Sequence, residues 1–190
     1  MRYEIQNVKA VLSKAAESAR TYHERIEHVR NTCKPEVIMQ EMKIYAVPLN
    51  EAMIKAHEEM AAEFSALEKN IKSKMIISAK DYNKDTVELM HLLTPDVEEF
   101  EAIAQQFAGN ETMLRFFRKY RDDHALQAVL PIGCEDRLKA LKTMRDDISW
   151  ILRIAGQPKS AENKYGDDQL QHFAAEFEKV FKRELEIIGE

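Results

Sequence analysis

Two histidine–glutamate pairs near the start of the chain have a spacing that could clamp a metal ion. His23 precedes Glu27 by four residues, and Glu24 precedes His28 by four. Residues four apart are neighbours on one side of a helix, so each pair could offer two ligands. The apolar periodicity described below directs these four positions outward. We therefore expect solvated surface pairs, with a metal clamp as the alternative.

The later histidines do not complete a known metal motif. Helical-bundle di-iron sites need two Glu-x-x-His pairs, and this chain has one, Glu88–His91. His57 and Glu58 begin a zinc-protease pattern, but Ala61 stands where the second histidine is required. We predict no catalytic site, no metal and no cofactor. A metal-binding bundle or helical enzyme stays open as an alternative, with ligands His23, Glu27, Glu88 and His91.

The two cysteines, Cys33 and Cys134, form neither a CxxC pair nor a metal-ligand pattern, which is typical of a reducing compartment. Cys134 opens a predicted helix, whose dipole would lower the thiol pKa. Glu135 and Asp136 follow it and act in the opposite direction. We predict a structural or incidental thiol at Cys134.

Residues 115–121 combine cations with aromatic rings, a composition also found in nucleic-acid-binding segments. On a helical wheel the apolar side chains share one arc, and Arg115, Arg118 and Lys119 lie opposite. The simplest interpretation is an apolar core face with a solvated basic face. A patch for a protein partner is the first alternative. Nucleic acid is disfavoured, since the formal net charge is −5.

The composition predicts an all-α fold. The 190 residues are 45% apolar and 32% charged, and include only 5 Gly and 5 Pro. So few helix breakers favour a small number of long elements. No apolar run exceeds four residues, so we expect neither a membrane span nor a signal-peptide core, and predict a cytoplasmic protein.

The first 33 residues carry a heptad pattern that predicts a long, coiled-coil-like helix. Apolar residues alternate at steps of three and four over about four heptads. This candidate helix-pairing seam, called the α1 seam below, could pair within the chain or between chains. Its members are Ile5, Val8, Leu12, Ala15, Ala19, Tyr22, Ile26, Val29 and Cys33.

A second long helix, about 49–77, has an apolar seam of its own and is predicted to lie antiparallel to the first. Pro35 should end the first helix, and Pro48 should kink or break the chain after a short helix over 36–47. A strand at 42–47 is the alternative. We predict a helical hairpin at 1–80 and a bundle of shorter helices at 81–190, with one continuous domain as the alternative.

Within the second region we predict helices at about 85–93, 95–108, 111–124, 134–155 and 167–188. Thr94 should cap the helix that starts at Pro95, and Asn110 the helix after it. Gly109 suits a left-handed helix terminus. The segment 156–166 is the best candidate for a linker.

Residues 94–126 contain Glu99-Phe100, Ile103-Ala104, Asn110 and Thr112-Met113, followed by Arg115 and Tyr120. This pattern resembles a helical hairpin of small proteins encoded by bacteriophages and prophages. The resemblance covers about a sixth of the chain and implies no catalytic residues. Because the α1 seam is longer than a compact bundle of this size usually needs, we expect a non-enzymatic interaction or assembly protein that acts through its long N-terminal helices. The resemblance implies that it is of a phage structural or scaffolding type. Its partner would be another protein or a second copy of itself.

Overall fold

The computed structural model describes residues 2–156 and 165–189, and all regular structure in these ranges is helical. The all-α prediction is therefore confirmed. A single 3-10 turn covers Ala79–Asp81. The α-helices are α1 (Arg2–Thr32), α2 (Pro35–Ser73), α3 (Lys84–Leu93), α4 (Val97–Gln106), α5 (Glu111–Asp123), α6 (Cys134–Ala155), α7 (Tyr165–Ala175), α8 (Phe177–Val180) and α9 (Lys182–Ile188).

Helices α1 and α2 form the predicted antiparallel pair. The Asn7 amide donates to Glu63 at 3.0 Å, and the Arg25 guanidinium lies 5.6 Å from the centre of the Tyr45 ring. The beginning of α1 is thus beside the end of α2, and the end of α1 is beside its beginning. The apolar seam of α2 is buried, and its members are Leu49, Met53, Ala56, Met60, Phe64, Leu67 and Ile71.

The predicted break at Pro48 is wrong, as is the alternative strand at 42–47, because α2 runs without interruption through both. Proline removes the hydrogen bond to the carbonyl of Ile44, four residues earlier. Pro48 and Ile44 are both exposed, so water can reach this side of the helix. The adjacent Leu49 is buried, and packing holds the helix together across the proline. The helix also ends earlier than predicted, at Ser73.

Contacts divide the chain into two compact units. Unit 1 comprises Met1–Leu67 and Ala140–Glu190, and unit 2 comprises Glu68–Lys139. The predicted division at residue 80 differs from this, because helices α6 to α9 supply apolar side chains to the same unit as α1. Of the predicted linker at 156–166, residues 157–164 lie outside the described part of the chain. No helix in that part is both long enough and apolar enough to cross a membrane.

In unit 1, α7 packs along α1, and the Gln171 amide donates to the carbonyl of Ala16. The prediction of one helix over 167–188 is wrong, since short interruptions at Glu176 and Phe181 divide the segment into α7, α8 and α9. Phe177 and Phe181 are both buried, with ring centres 5.2 Å apart. The two interruptions thus lie next to, or at, the residues whose rings are packed in the core.

Unit 2 is built from short helices with well-formed caps. The Asn110 side chain accepts from the Met113 amide at 3.0 Å, and Gly109 has a φ of 86°, both as predicted. The expected cap at Thr94 is wrong. Thr94 instead ends α3 with a φ of 47°, and Asp96 caps α4 in a capping box with Glu99. The Asp96 carboxylate accepts from the Glu99 amide, and the Glu99 carboxylate accepts from the Asp96 amide. This reciprocal pair explains why α4 starts later than predicted.

An aromatic core holds α3, α4 and α5 of unit 2 together. The ring of Phe100 stacks on Tyr120 with centres 5.7 Å apart and meets Phe117 edge-on at 5.8 Å. The Tyr120 hydroxyl donates to the buried carbonyl of Met90 at 3.1 Å. This bond satisfies a polar group that burial would otherwise penalise and fixes α5 against α3.

Candidate interaction surfaces

The α1 seam is covered within the chain. All of its residues from Ile5 to Val29 are buried, while Cys33 lies just past the end of α1 and is half-buried. The covering elements are α2 and α7 of the same unit. A second chain could reach these side chains only if unit 1 opened, so an interaction surface has to be found elsewhere.

Arg118 is part of an internal ion-pair network of unit 2, which corrects its assignment to a free basic patch. One guanidinium nitrogen lies 2.8 Å from Asp136, and another lies 3.5 Å from Glu135. Asp136 also accepts from the Gly133 amide at 3.0 Å, so it caps α6 as well. The two carboxylates stand 17 and 18 residues further along the chain, where a helical wheel of α5 alone cannot place them.

Gly133 leaves room for the Arg118 guanidinium at the start of α6. A β-carbon at this position would overlap the guanidinium of Arg118. A side chain at this position would therefore displace the guanidinium from its present place.

Cys134 is a buried thiol beside a carboxylate. Its backbone amide donates to Glu111 at 2.7 Å. Burial, followed by the nearby Glu111 carboxylate, raises the pKa of the Cys134 thiol to about 11. The thiol is therefore protonated and unreactive at neutral pH, which agrees with the predicted structural role.

Arg115 and Lys119 are both exposed on α5. Because Arg118 pairs with two carboxylates, Arg115 and Lys119 are the members of the predicted basic patch that face solvent. Two dispersed cations provide little of the phosphate contact that nucleic-acid binding needs.

His23 and His91, which the sequence offered as metal ligands, each contact neighbours within their own unit. His23 is 3.2 Å from Glu27 on α1. His91 lies in unit 2, where its ring contacts Phe116 and Tyr120 at 6.1 and 5.8 Å between centres. Glu88 is paired with Lys84 at 3.1 Å. Within the described ranges, no three His, Cys, Asp or Glu side chains are grouped so that they could hold a metal ion.

The outer side of α3 carries an apolar surface that the sequence patterns above did not identify. Leu89, Leu92 and Leu93 are 46%, 80% and 68% exposed, while Val87 and Met90 fill the core from the other side. We call these three leucines the α3 leucine face. A ten-residue helix with apolar residues on both sides is unusual for a surface helix of a monomeric protein. Contiguous exposed apolar surface is typical of binding sites.

A signal for this face was present in the sequence. Five of the ten residues of α3 are large and apolar, and they cannot all lie on one arc of the helix. Which of them point inward depends on α4 and α5, so the exposed set becomes visible only in the folded unit.

Comparisons with models of protein families, with curated proteins and with solved structures find no match to this chain.

Proposed function

We propose that this protein is a non-enzymatic helical interaction or assembly protein that binds a protein partner through the α3 leucine face. The observation that carries the proposal is the exposure of three leucines on one short helix of a well-packed unit. Fully burying one leucine contributes about 1.5–3 kcal/mol. Covering the exposed parts of these three leucines therefore contributes roughly 3–6 kcal/mol, which makes them an apolar anchor within a larger interface, because association itself costs several kcal/mol.

The surroundings of the α3 leucine face favour an amphipathic partner helix with basic flanks. Residues 84–99 contain one lysine and five carboxylates. Of these, Asp85, Asp96 and Glu98 are exposed, as are Lys84 and Glu88, which pair with each other. An apolar centre with a charged rim is the usual arrangement of protein interfaces. Asp85 lies four residues before Leu89 and so on the same side of α3, and a lysine or arginine beside the apolar face of the partner would complement its charge.

The phage-like hairpin pattern of residues 94–126 supports a phage or prophage origin for this protein. That segment begins at Thr94, directly after the last residue of α3, and continues through α4 and α5. We propose with it a structural or scaffolding-type role in the cytoplasm of a bacterial host. In such a role the partner is another protein of the same assembly.

The proposal is tested with the double variant Leu89→Ser/Leu92→Ser in the full chain, purified from cells that carry the gene. Both side chains are exposed, so the fold should be retained, with a stability change of about 0.5 kcal/mol or less per site. Val129→Ser is the control, because Val129 is an apolar residue of unit 2 outside α3 whose exposure is close to that of Leu92.

We expect wild type and Val129→Ser to retain the same partner, and the double variant to bind it at least about tenfold more weakly. Circular dichroism spectra should be the same for all three proteins. Equal binding by the double variant and the control would refute the role of the α3 leucine face.

A further inference from the structure

Unit 1 has a separate open groove between the first half of α2 and the last half of α6. Its volume is about 950 Å³. Val47, Met53 and Ile54 contribute apolar side chains from α2, and Trp150 contributes its ring from α6. Trp150 is the single tryptophan of the chain and is 43% exposed. A large aromatic side chain left half in solvent beside other apolar residues is typical of a contact surface.

Charged side chains flank Trp150 on α6 in a pattern that complements itself. Asp146 lies four residues before Trp150 and Arg153 lies three residues after it, so all three share one side of the helix. Asp146, Ser149, Trp150 and Arg153 all line the groove. The stripe thus has an acid at one end, an apolar centre and a base at the other end.

Such a stripe matches a second copy of itself placed antiparallel. In a two-fold interface, if residue i contacts residue j, then j also contacts i. With the axis near residues 149 and 150, Asp146 of one copy faces Arg153 of the other, and this pairing occurs twice. Asp146 already contacts the neighbouring Arg145 at 3.7 Å, but the two side chains are 58% and 42% exposed, and such a pair contributes little.

We propose that this protein forms a two-fold dimer in which the α6 helices pack antiparallel at Trp150 and each tryptophan enters the groove of the other copy. The occupant of the groove is a second copy because the acid and the base lie on one helix and match each other only after a two-fold rotation. The inference is independent of the α3 leucine face, which belongs to unit 2.

The test is a charge exchange at the two ends of the stripe, measured by light scattering over a hundredfold concentration range. Asp146→Arg gives two cations per stripe, and Arg153→Asp gives two anions. Each variant alone should be monomeric near the chain mass of 22.1 kDa, since like charges would face each other. An equimolar mixture of the two should form a heterodimer, and the double variant Asp146→Arg/Arg153→Asp should dimerise like wild type.

The control is Lys14→Glu, a charge reversal at an exposed position of α1 outside the groove, which should dimerise like wild type. Tryptophan fluorescence gives a second readout. As wild type dimerises, its emission should shift to shorter wavelength and iodide quenching should fall, while either single variant should show no concentration dependence.

Three results would overturn the dimer. A wild-type protein that is monomeric at every concentration would leave the groove to a different partner. Single variants that still dimerise would place the interface elsewhere. A mixture of the two variants that remains monomeric would exclude the antiparallel pairing of Asp146 with Arg153.

Discussion

Arg118 pairs with two carboxylates at the start of α6, whereas a helical wheel of α5 predicts that it is a solvated cation. Replacing Arg118 tests which of these two descriptions is right. Arg118→Met keeps the aliphatic length of the side chain and removes the guanidinium, and with it the contacts to Asp136 and Glu135. Lys119→Met is the matched control, because it removes a cation from the next position of the same helix, where the side chain is exposed.

The expected cost follows from the exposure of the three side chains. The Arg118 side chain is 15% exposed, and those of Asp136 and Glu135 are each 41% exposed. Hydrogen bonds to charged groups contribute about 1.5–3 kcal/mol. Because water solvates the two carboxylates once the arginine is gone, we reduce this to about 1–2 kcal/mol. Asp136 keeps its bond to the Gly133 amide, so the cap of α6 should persist.

Urea unfolding followed by circular dichroism measures both variants. Arg118→Met should lower the free energy of unfolding by about 1–2 kcal/mol, with an unchanged dependence on urea, whereas Lys119→Met should stay within about 0.5 kcal/mol of wild type. The difference between the variants should shrink at high salt, which screens the ion pairs. If the two variants lost equal stability, the network at the start of α6 would contribute nothing and Arg118 would be a solvated cation.

Two further changes test the local structure. Pro48→Ala should stabilise the chain by about 1–3 kcal/mol in the same unfolding assay, because it restores the amide that bonds to the Ile44 carbonyl within a continuous helix; a loss of stability would contradict this continuity. At pH 8, iodoacetamide followed by mass spectrometry should modify Cys33 in the folded protein but reach Cys134 only after unfolding, and equal labelling would contradict its burial. Folding raises the pKa of the Cys134 thiol from 9.0 to about 11, because the buried site favours the protonated form. The contribution of this protonated thiol to the free energy of unfolding is therefore complete below about pH 9 and is lost as the pH rises through about 11.

The sequence by itself determined the features that depend on neighbours along the chain. The heptad pattern from Ile5 to Val29 predicted a long helix with one buried side, because residues three and four apart share a face in any α-helix. Asn110 and Gly109 acted as predicted, since a cap and a left-handed residue satisfy backbone groups within a few positions. The antiparallel course of α1 and α2 followed from two long apolar seams separated by a short break.

The tertiary structure decided the features that depend on residues distant in the chain. Pro48 is accommodated because α2 is held by packing that local propensity does not describe. Arg118 is withdrawn from solvent by two carboxylates from another helix, and the α3 leucine face is defined by what α4 and α5 leave uncovered. Periodicity specifies which residues share a side of a helix. Which of those sides is buried, paired or left to a partner is set by the elements that pack against it.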